Sequence, residues 1–256
     1  MLPETLILQA VPGIPMVEPG DDLCALLTNA LDQAELSLQD DDVLVLAQKI
    51  VSKAEGRYAY LNEVEPGPEA IELARNCDKD PRHMEVLLGE SHSVLRQRPG
   101  VVIVEHKLGY VHANAGIDRS NIASADDNPR LLLLPEDPDA SAQNLREALQ
   151  KKTGARLNII INDSAGRAWR NGTLGFAIGT AGFEAVENRI GEQDLFGRAL
   201  EVTEVAVADE LAAAASFLMG QGNEAIPLVL IRGAKLRPSD AGSAALIRDR
   251  EKDMFR

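Results

Sequence analysis

"NDSAGRAWRNGTLGFAIGTAG" spans residues 162–182 and comes directly after the largely apolar run Leu157-Asn158-Ile159-Ile160-Ile161. That run reads as a short buried strand. Residues 162–182 read as a glycine-rich segment at the strand's end. Asp163 and Ser164 offer hard oxygens there, and Arg167 and Arg170 offer guanidinium forks suited to phosphate. Gly166, Gly172, Gly175, Gly179 and Gly182 permit tight backbone turns. An ordinary connection is the plain alternative for this segment taken alone.

Working outward, helical and strand patterns alternate. Residues 21–38 put Leu23, Leu26, Leu27, Ala30, Leu31, Ala34 and Leu38 on one helical face, with Asp21 or Asp22 as N-cap. Residues 43–46 read as a buried strand. Residues 69–76 and 81–90 read as short helices, and 101–105 and 110–112 as strands. Residues 123–140 read as a long loop with one buried stripe at 131–134. Ser141 is placed as the cap of a helix to about Lys152, with Gly154 just past its end. The longest helical pattern runs over about 201–219, and a late strand over 227–231. No repeat and no composition shift marks a boundary, so by length residues 1–256 form one large domain or two small ones.

Composition narrows the function. The chain has 256 residues, 45% hydrophobic, and a formal net charge of −14. That balance excludes a general nucleic-acid binder, because phosphate backbones need a basic face. A polyanionic ligand must instead meet a local cluster of Lys and Arg, or metal ions. The two cysteines, Cys24 and Cys77, have neither C-x-x-C nor zinc spacing, and a free, buried Cys24 in a reducing cytoplasm is expected. His83, His92, His106 and His112 show no metal spacing and read as surface or satisfied histidines. The N-terminal stretch lacks a basic region before its apolar run and does not read as a signal peptide. No apolar run reaches the 18 residues a membrane span needs.

Three further segments carry a similar chemical kit. In Ser52-Lys53-Ala54-Glu55-Gly56-Arg57, Lys53 and Arg57 suit phosphate, although the order is not that of a P-loop. A solvated turn after an edge strand is the alternative. In residues 113–121, small residues let the backbone approach a ligand, and Asp118 and Asn121 supply oxygens that Mg²⁺ or Mn²⁺ prefers; an Asx-capped turn is the alternative. The Gly-Gln-Gly-Asn turn at 220–223 suits a base or a metal as well as a plain helix end. Four such segments together point to a metal-nucleotide site.

The phrases "VSKAEGR", "ANAGIDRSN", "NDSAGRAWRNGTLGFAIGTAG", "DLFGRALEVTEVAVADELAAAASFLMGQGNEAIPLVLIRG" and "RDREKDMFR" closely resemble the coenzyme F420-0:L-glutamate ligase family, the F420 gamma-glutamyl ligases. They occur in the family's order from about residue 8 to the C-terminus, as in its stand-alone form. The resemblance implies an α+β fold of mixed sheets with flanking helices, two-lobed and specific to the family, in an intertwined homodimer. It implies a cytoplasmic, GTP-dependent ligase. That enzyme joins L-glutamate through a gamma linkage to the deazaflavin precursor F420-0, and adds further glutamates in many members. Mg²⁺ or Mn²⁺ is required and K⁺ assists.

Residue by residue, the resemblance makes Asp118 a metal aspartate and Asn121 a nucleotide contact. Asp163 and Ser164 match a metal-binding Asp-Thr pair, with Ser keeping the hydroxyl. Lys53 matches a nucleotide-binding lysine, and Gln48 and Lys49 stand where some members have Ser-Thr. Ile14, Pro15, Met16 and Val17 match one nucleotide segment. Met219, Gly220, Gln221, Gly222, Asn223, Glu224, Ala225 and Ile226 match another. Gln221 falls where other members place a carboxylate metal ligand, and an amide is the weaker ligand. Asp118, Asp163 and Lys53 carry the catalytic role, with Arg57, Arg167 and Arg170 as phosphate or substrate contacts. A metal-dependent phosphatase or nucleotide hydrolase, or a non-catalytic GTP-binding regulator, are the alternatives.

Overall fold

A computed structural model describes residues 5–125 and 127–254. Its centre is a six-stranded sheet in the order β1 (Ile7–Ala10), β12 (Leu228–Arg232), β2 (Val43–Ala47), β8 (Asn158–Arg167), β9 (Arg170–Phe183) and β13 (Pro238–Ser239). The β2–β8 pair is parallel and the other neighbouring pairs are antiparallel. Successive residues of the inner strands point to opposite faces, and both faces are covered. Leu44, Leu46, Ile159, Ile161, Leu228 and Leu230 join one core with α1 (Leu23–Gln33) and α5 (Pro138–Thr153). Val43, Val45, Ile160, Val229 and Ile231 join a second core with α6 (Val207–Met219). Burial on both faces is why these strands read as unbroken apolar runs.

A second unit is built on a three-stranded sheet of β4 (Ser91–Arg98), β5 (Val101–His106) and β6 (Val111–Ala113). With α3 (Pro68–Cys77) and α4 (Pro81–Gly89) it encloses a core of Leu73, Met84, Leu87, Val102, Val104 and Leu131. The pair β3 (Tyr58–Tyr60) and β7 (Arg130–Leu132) stands beside it. The link between the two units is α2 (Gln48–Ala54), which continues directly from β2. A small ribbon of β10 (Glu187–Asn188) and β11 (Glu204–Val205) precedes α6.

Several expectations are corrected. Residues 162–182 are no loop: β8 runs on to Arg167 and β9 returns from Arg170 as one long hairpin. Two of its glycines serve packing. A Cβ on Gly179 would lie 2.4 Å from the Pro138 carbonyl oxygen of α5, and one on Gly175 would lie 2.4 Å from Ser216 Cβ of α6. Gly179→Ala is therefore expected to cost about 1–3 kcal/mol, the usual scale of overpacking, read as a lower melting temperature. The helix at 201–219 begins only at Val207, because the preceding residues belong to the β10–β11 ribbon. The loop at 123–140 contains β7, and Leu131 of that strand enters the second unit's core. The cap of α5 is Asp137, which accepts from Ala140 N, whereas Ser141 lies in the first turn and hydrogen-bonds Glu55. Gly154 ends that helix at φ +77°, as expected. Cys24 is only partly buried, while Cys77 is buried; both are free thiols.

His83 and His106 are buried, and their Nε2 atoms have no hydrogen-bond partner among the described residues. Burial, and then nearby cations, push each pKa down to about 4. The folded state thus favours the neutral ring, so their contribution is complete above the unfolded value near 6.5 and is lost as pH falls toward 4. Each is expected to withdraw up to about 3 kcal/mol over that window. Urea titrations at pH 7 and 4.5 should show the midpoint falling, and less steeply in His83→Gln.

Candidate nucleotide and metal site

The cleft lies at the carboxyl ends of the parallel pair β2 and β8, where open sheets leave a crevice for ligands. It encloses about 330 Å³. Its walls are residues 14–17, the β2–α2 junction with Gln48, Lys49 and Lys53, Asn121, Asn162, Asp163, Ser164, Ser216 and residues 219–227. All the nucleotide residues expected from the sequence therefore line one cavity.

Lys53 lies on α2, not on a turn after an edge strand, and only 7% of its surface is exposed. Its ammonium donates to the Asn121 carbonyl at 2.8 Å. Burial, opposed by the charge of Glu18, lowers its pKa. Asn121 in turn donates to the Gly222 carbonyl at 3.1 Å, closing one side of the cleft. Asn121 itself sits at φ +57°, which an Asn tolerates better than most residues. Gln221 donates to Ser216 Oγ at 3.1 Å, so its amide oxygen remains for another partner. Gly220 is at φ +73°, and a Cβ there would lie 2.2 Å from the Glu224 carboxyl carbon.

The two aspartates are gripped crosswise. Asp118 lies beyond β6 of the second unit, and its Oδ2 accepts from Gln48 Nε2 at 2.9 Å and pairs with Lys49 Nζ at 3.2 Å, both on α2. Asp163 lies on β8 of the main sheet, and its Oδ2 meets His112 Nε2 of β6 at 3.1 Å. Each carboxylate is thus held by side chains from outside its own unit. Gln48 is fixed by Ser52 Oγ, which donates to its Oε1 at 2.8 Å. Burial raises the Asp118 pKa; Lys49 opposes this and the Asp163 charge adds to it. For His112, burial lowers the pKa, but the Asp163 hydrogen bond and charge outweigh it and the net shift is upward. The Gln48 and Lys49 contacts screen Asp118, so it stands behind the cleft wall and does not line it.

The sequence reads His112 as a surface or satisfied histidine, and the structure shows a buried, satisfied one whose side-chain partner is a carboxylate 51 residues away. No spacing in the sequence signals such a pairing. Arg57 is not a cleft residue. Its Nε donates to the Leu134 carbonyl and its guanidinium pairs with Glu90, both at 2.8 Å, so it braces the second unit. Arg167 and Arg170 are carried beyond the cleft to the exposed hairpin tip, because the strand continues past Ser164.

Among the described residues no three His, Cys, Asp or Glu side chains form a complete metal cage. Asp163, Ser164 and Gln221 line the cleft with few donors, all hard oxygens, and Asp118 stands behind its wall held by Gln48 and Lys49. That set fits Mg²⁺ or Mn²⁺, which keep water and take one or two carboxylates with substrate phosphates completing the shell.

The family profile described as F420-0:Gamma-glutamyl ligase matches residues 13–233. The chain belongs to this family. The Coenzyme F420:L-glutamate ligase of Methanothermobacter thermautotrophicus is 47% identical over 249 residues, covering 96% of this chain and 97% of that protein. Its namesake in Methanocaldococcus jannaschii is 43% identical, covering 87% and 88%. That of Archaeoglobus fulgidus is 41% identical, covering 96% and 94%. As a member of the F420-0:gamma-glutamyl ligase family, the chain is a ligase enzyme. Among its described residues no helix is long and apolar enough to cross a membrane.

Proposed function

We propose that this ligase joins L-glutamate to the deazaflavin F420-0 through a gamma-glutamyl amide, using GTP. The observation that carries the reading is 47% identity with a named glutamate ligase across nearly the full length of both chains. Further glutamates and a role for K⁺ belong to the same proposal, as does a cytoplasmic setting, which the free thiols of Cys24 and Cys77 suit.

Amide formation from a carboxylate in water is uphill, so the carboxylate must be activated. In our reading its oxygen takes the γ-phosphoryl group of GTP, and GDP leaves. The glutamate amine then attacks the acyl phosphate carbon, the C–O bond to phosphate breaks, and the amine loses a proton. Residues 14–17, Gln48, Lys49, Asn121 and 219–226 hold the nucleotide. Asp163, Ser164 and Gln221, joined by Asp118 once Gln48 and Lys49 release it, would hold Mg²⁺ or Mn²⁺, which would neutralise charge on phosphate oxygens. Lys53 presents a desolvated ammonium toward the same charge. No enzyme nucleophile is required for this route.

Incubation of the enzyme with GTP, Mn²⁺, glutamate and F420-0 should add one glutamyl mass to the acceptor, with phosphate release requiring both substrates. Phosphate release without either would identify a nucleotide hydrolase, and GTP binding without release a regulator. The naming of the relatives as ligases favours neither.

We also propose a two-lobed homodimer, each lobe centred on one of the two sheets. Light scattering at micromolar concentration should give twice the mass of the 27.6 kDa chain; a stable monomer would contradict it.

A further inference from the structure

Trp169 is the chain's single tryptophan, and it stands at the tip of the β8–β9 hairpin with 87% of its surface in solvent. Its backbone is at φ +66°. Bulky L-residues avoid that left-handed region, and hairpin turns normally fill it with Gly, Asn or Asp. No packing within the described chain offsets this. Arg167 and Arg170 flank the tip as cross-strand partners, both exposed. Arg167 makes a long hydrogen bond to the Gly172 carbonyl, at 3.5 Å. In a chain with 40 acidic and 26 basic side chains, two arginines held at a strained indole make a local anion-seeking, aromatic surface.

The base of the same arm is the cleft wall at Asp163 and Ser164. Four steps of strand lead from Asp163 to Arg167, about 13 Å at 3.3 Å per residue, and Trp169 stands in the turn just beyond. The arm therefore connects the place where a carboxylate would be activated to an exposed indole with two guanidiniums. An acceptor with a flat ring at one end and a carboxylate at the other matches that layout.

We infer that Trp169 stacks on the ring of the anionic deazaflavin acceptor, with Arg167 and Arg170 meeting its negative charge and its carboxylate end lying toward Asp163. This rests on the ligase reading above. It gives the strained tryptophan a role that packing does not.

The test compares the wild-type chain with Trp169→Asn and Trp169→Phe. Asparagine accepts the left-handed turn, so its melting temperature should equal or exceed that of the wild type. Its KM for F420-0 should nevertheless rise about tenfold or more, the scale of one lost aromatic stack, with KM for GTP within about twofold. Phenylalanine should recover part of the loss. With the wild-type chain, F420-0 should also protect the tryptophan emission from acrylamide. An unchanged acceptor KM in Trp169→Asn, while product still forms, would overturn this inference and leave the ligase reading intact. Emission that shifts with protein concentration and ignores F420-0 would overturn it too, assigning the tip to a contact between two copies. Acrylamide protection by F420-0 without any glutamylated product would support the arm as a binding site and sink the ligase reading alone.

Discussion

Replacing Asp163 with asparagine is expected to lower turnover by more than ~10²-fold, the scale of losing one strong electrostatic contact to the transition state. The carboxylate comes from β8 of the main sheet and lines the cleft directly, whereas Asp118 stands behind its wall. Its Oδ2 is held by His112, which leaves Oδ1 for a divalent ion. Asparagine keeps the shape and an acceptor oxygen for His112, but removes the charge. The side chain is only 11% exposed, so it is less superficial than a loop at a strand's end would make it. The chain is still expected to fold, because the retained carbonyl can accept the His112 hydrogen bond. The measurement is the rate as a function of Mn²⁺ alongside a melting curve. A wild-type rate for Asp163→Asn at limiting Mn²⁺ would remove Asp163 from the metal set. A collapsed melting temperature would show that its main task is to tie the two units together.

The crosswise grip on Asp118 and Asp163 also separates what is legible in the chain from what is not. The main strands are legible, because Val43-Leu44-Val45-Leu46 and Ile159-Ile160-Ile161 are apolar on both faces. So are the helix ends at Asp22 and Gly154, where local chemistry decides the conformation. The hairpin is not legible. Its glycines look like loop residues in sequence, yet Gly175 and Gly179 are there because α6 and α5 come within contact of the strand. That is a tertiary reason, and no local pattern carries it. Lys53, Asn121, Asp163, Ser164 and residues 219–226 of the cleft fall within the family's ordered phrases, whereas Arg57 misleads. Four residues from Lys53, it shares the phosphate-binding look, but the chain has left α2 by then and its guanidinium turns to Glu90. His112 escapes notice for the opposite reason: its partner is 51 residues away, and a lone histidine in a short strand gives no sign of it.

Lys53→Ala is expected to lower kcat for the GTP-dependent reaction more than it raises the KM for GTP. The sequence leaves room for a lysine that merely solvates an edge turn, in which case both constants would stay within about twofold, as for most surface substitutions. Its place on α2 removes that option: the side chain is buried and its ammonium is inside the cleft wall. Burial lowers its pKa, with Glu18 opposing. Such an ammonium gains most from an approaching anion, and the transferring γ-phosphoryl group concentrates charge in the transition state. An interaction made equally in ground and transition states would appear in KM alone. Part of the loss will be structural, since alanine also frees the Asn121 carbonyl that Lys53 now binds and removes a buried aliphatic stem. Lys53→Met separates the two: it restores the stem without the charge, so the KM part should recover while kcat stays low. Added Mn²⁺ should not rescue either variant, because the ion and the ammonium sit on different side chains. Steady-state constants for both variants at saturating acceptor and glutamate decide the matter, and a kcat for Lys53→Met equal to wild type would show that the charge of Lys53 has no part in phosphoryl transfer.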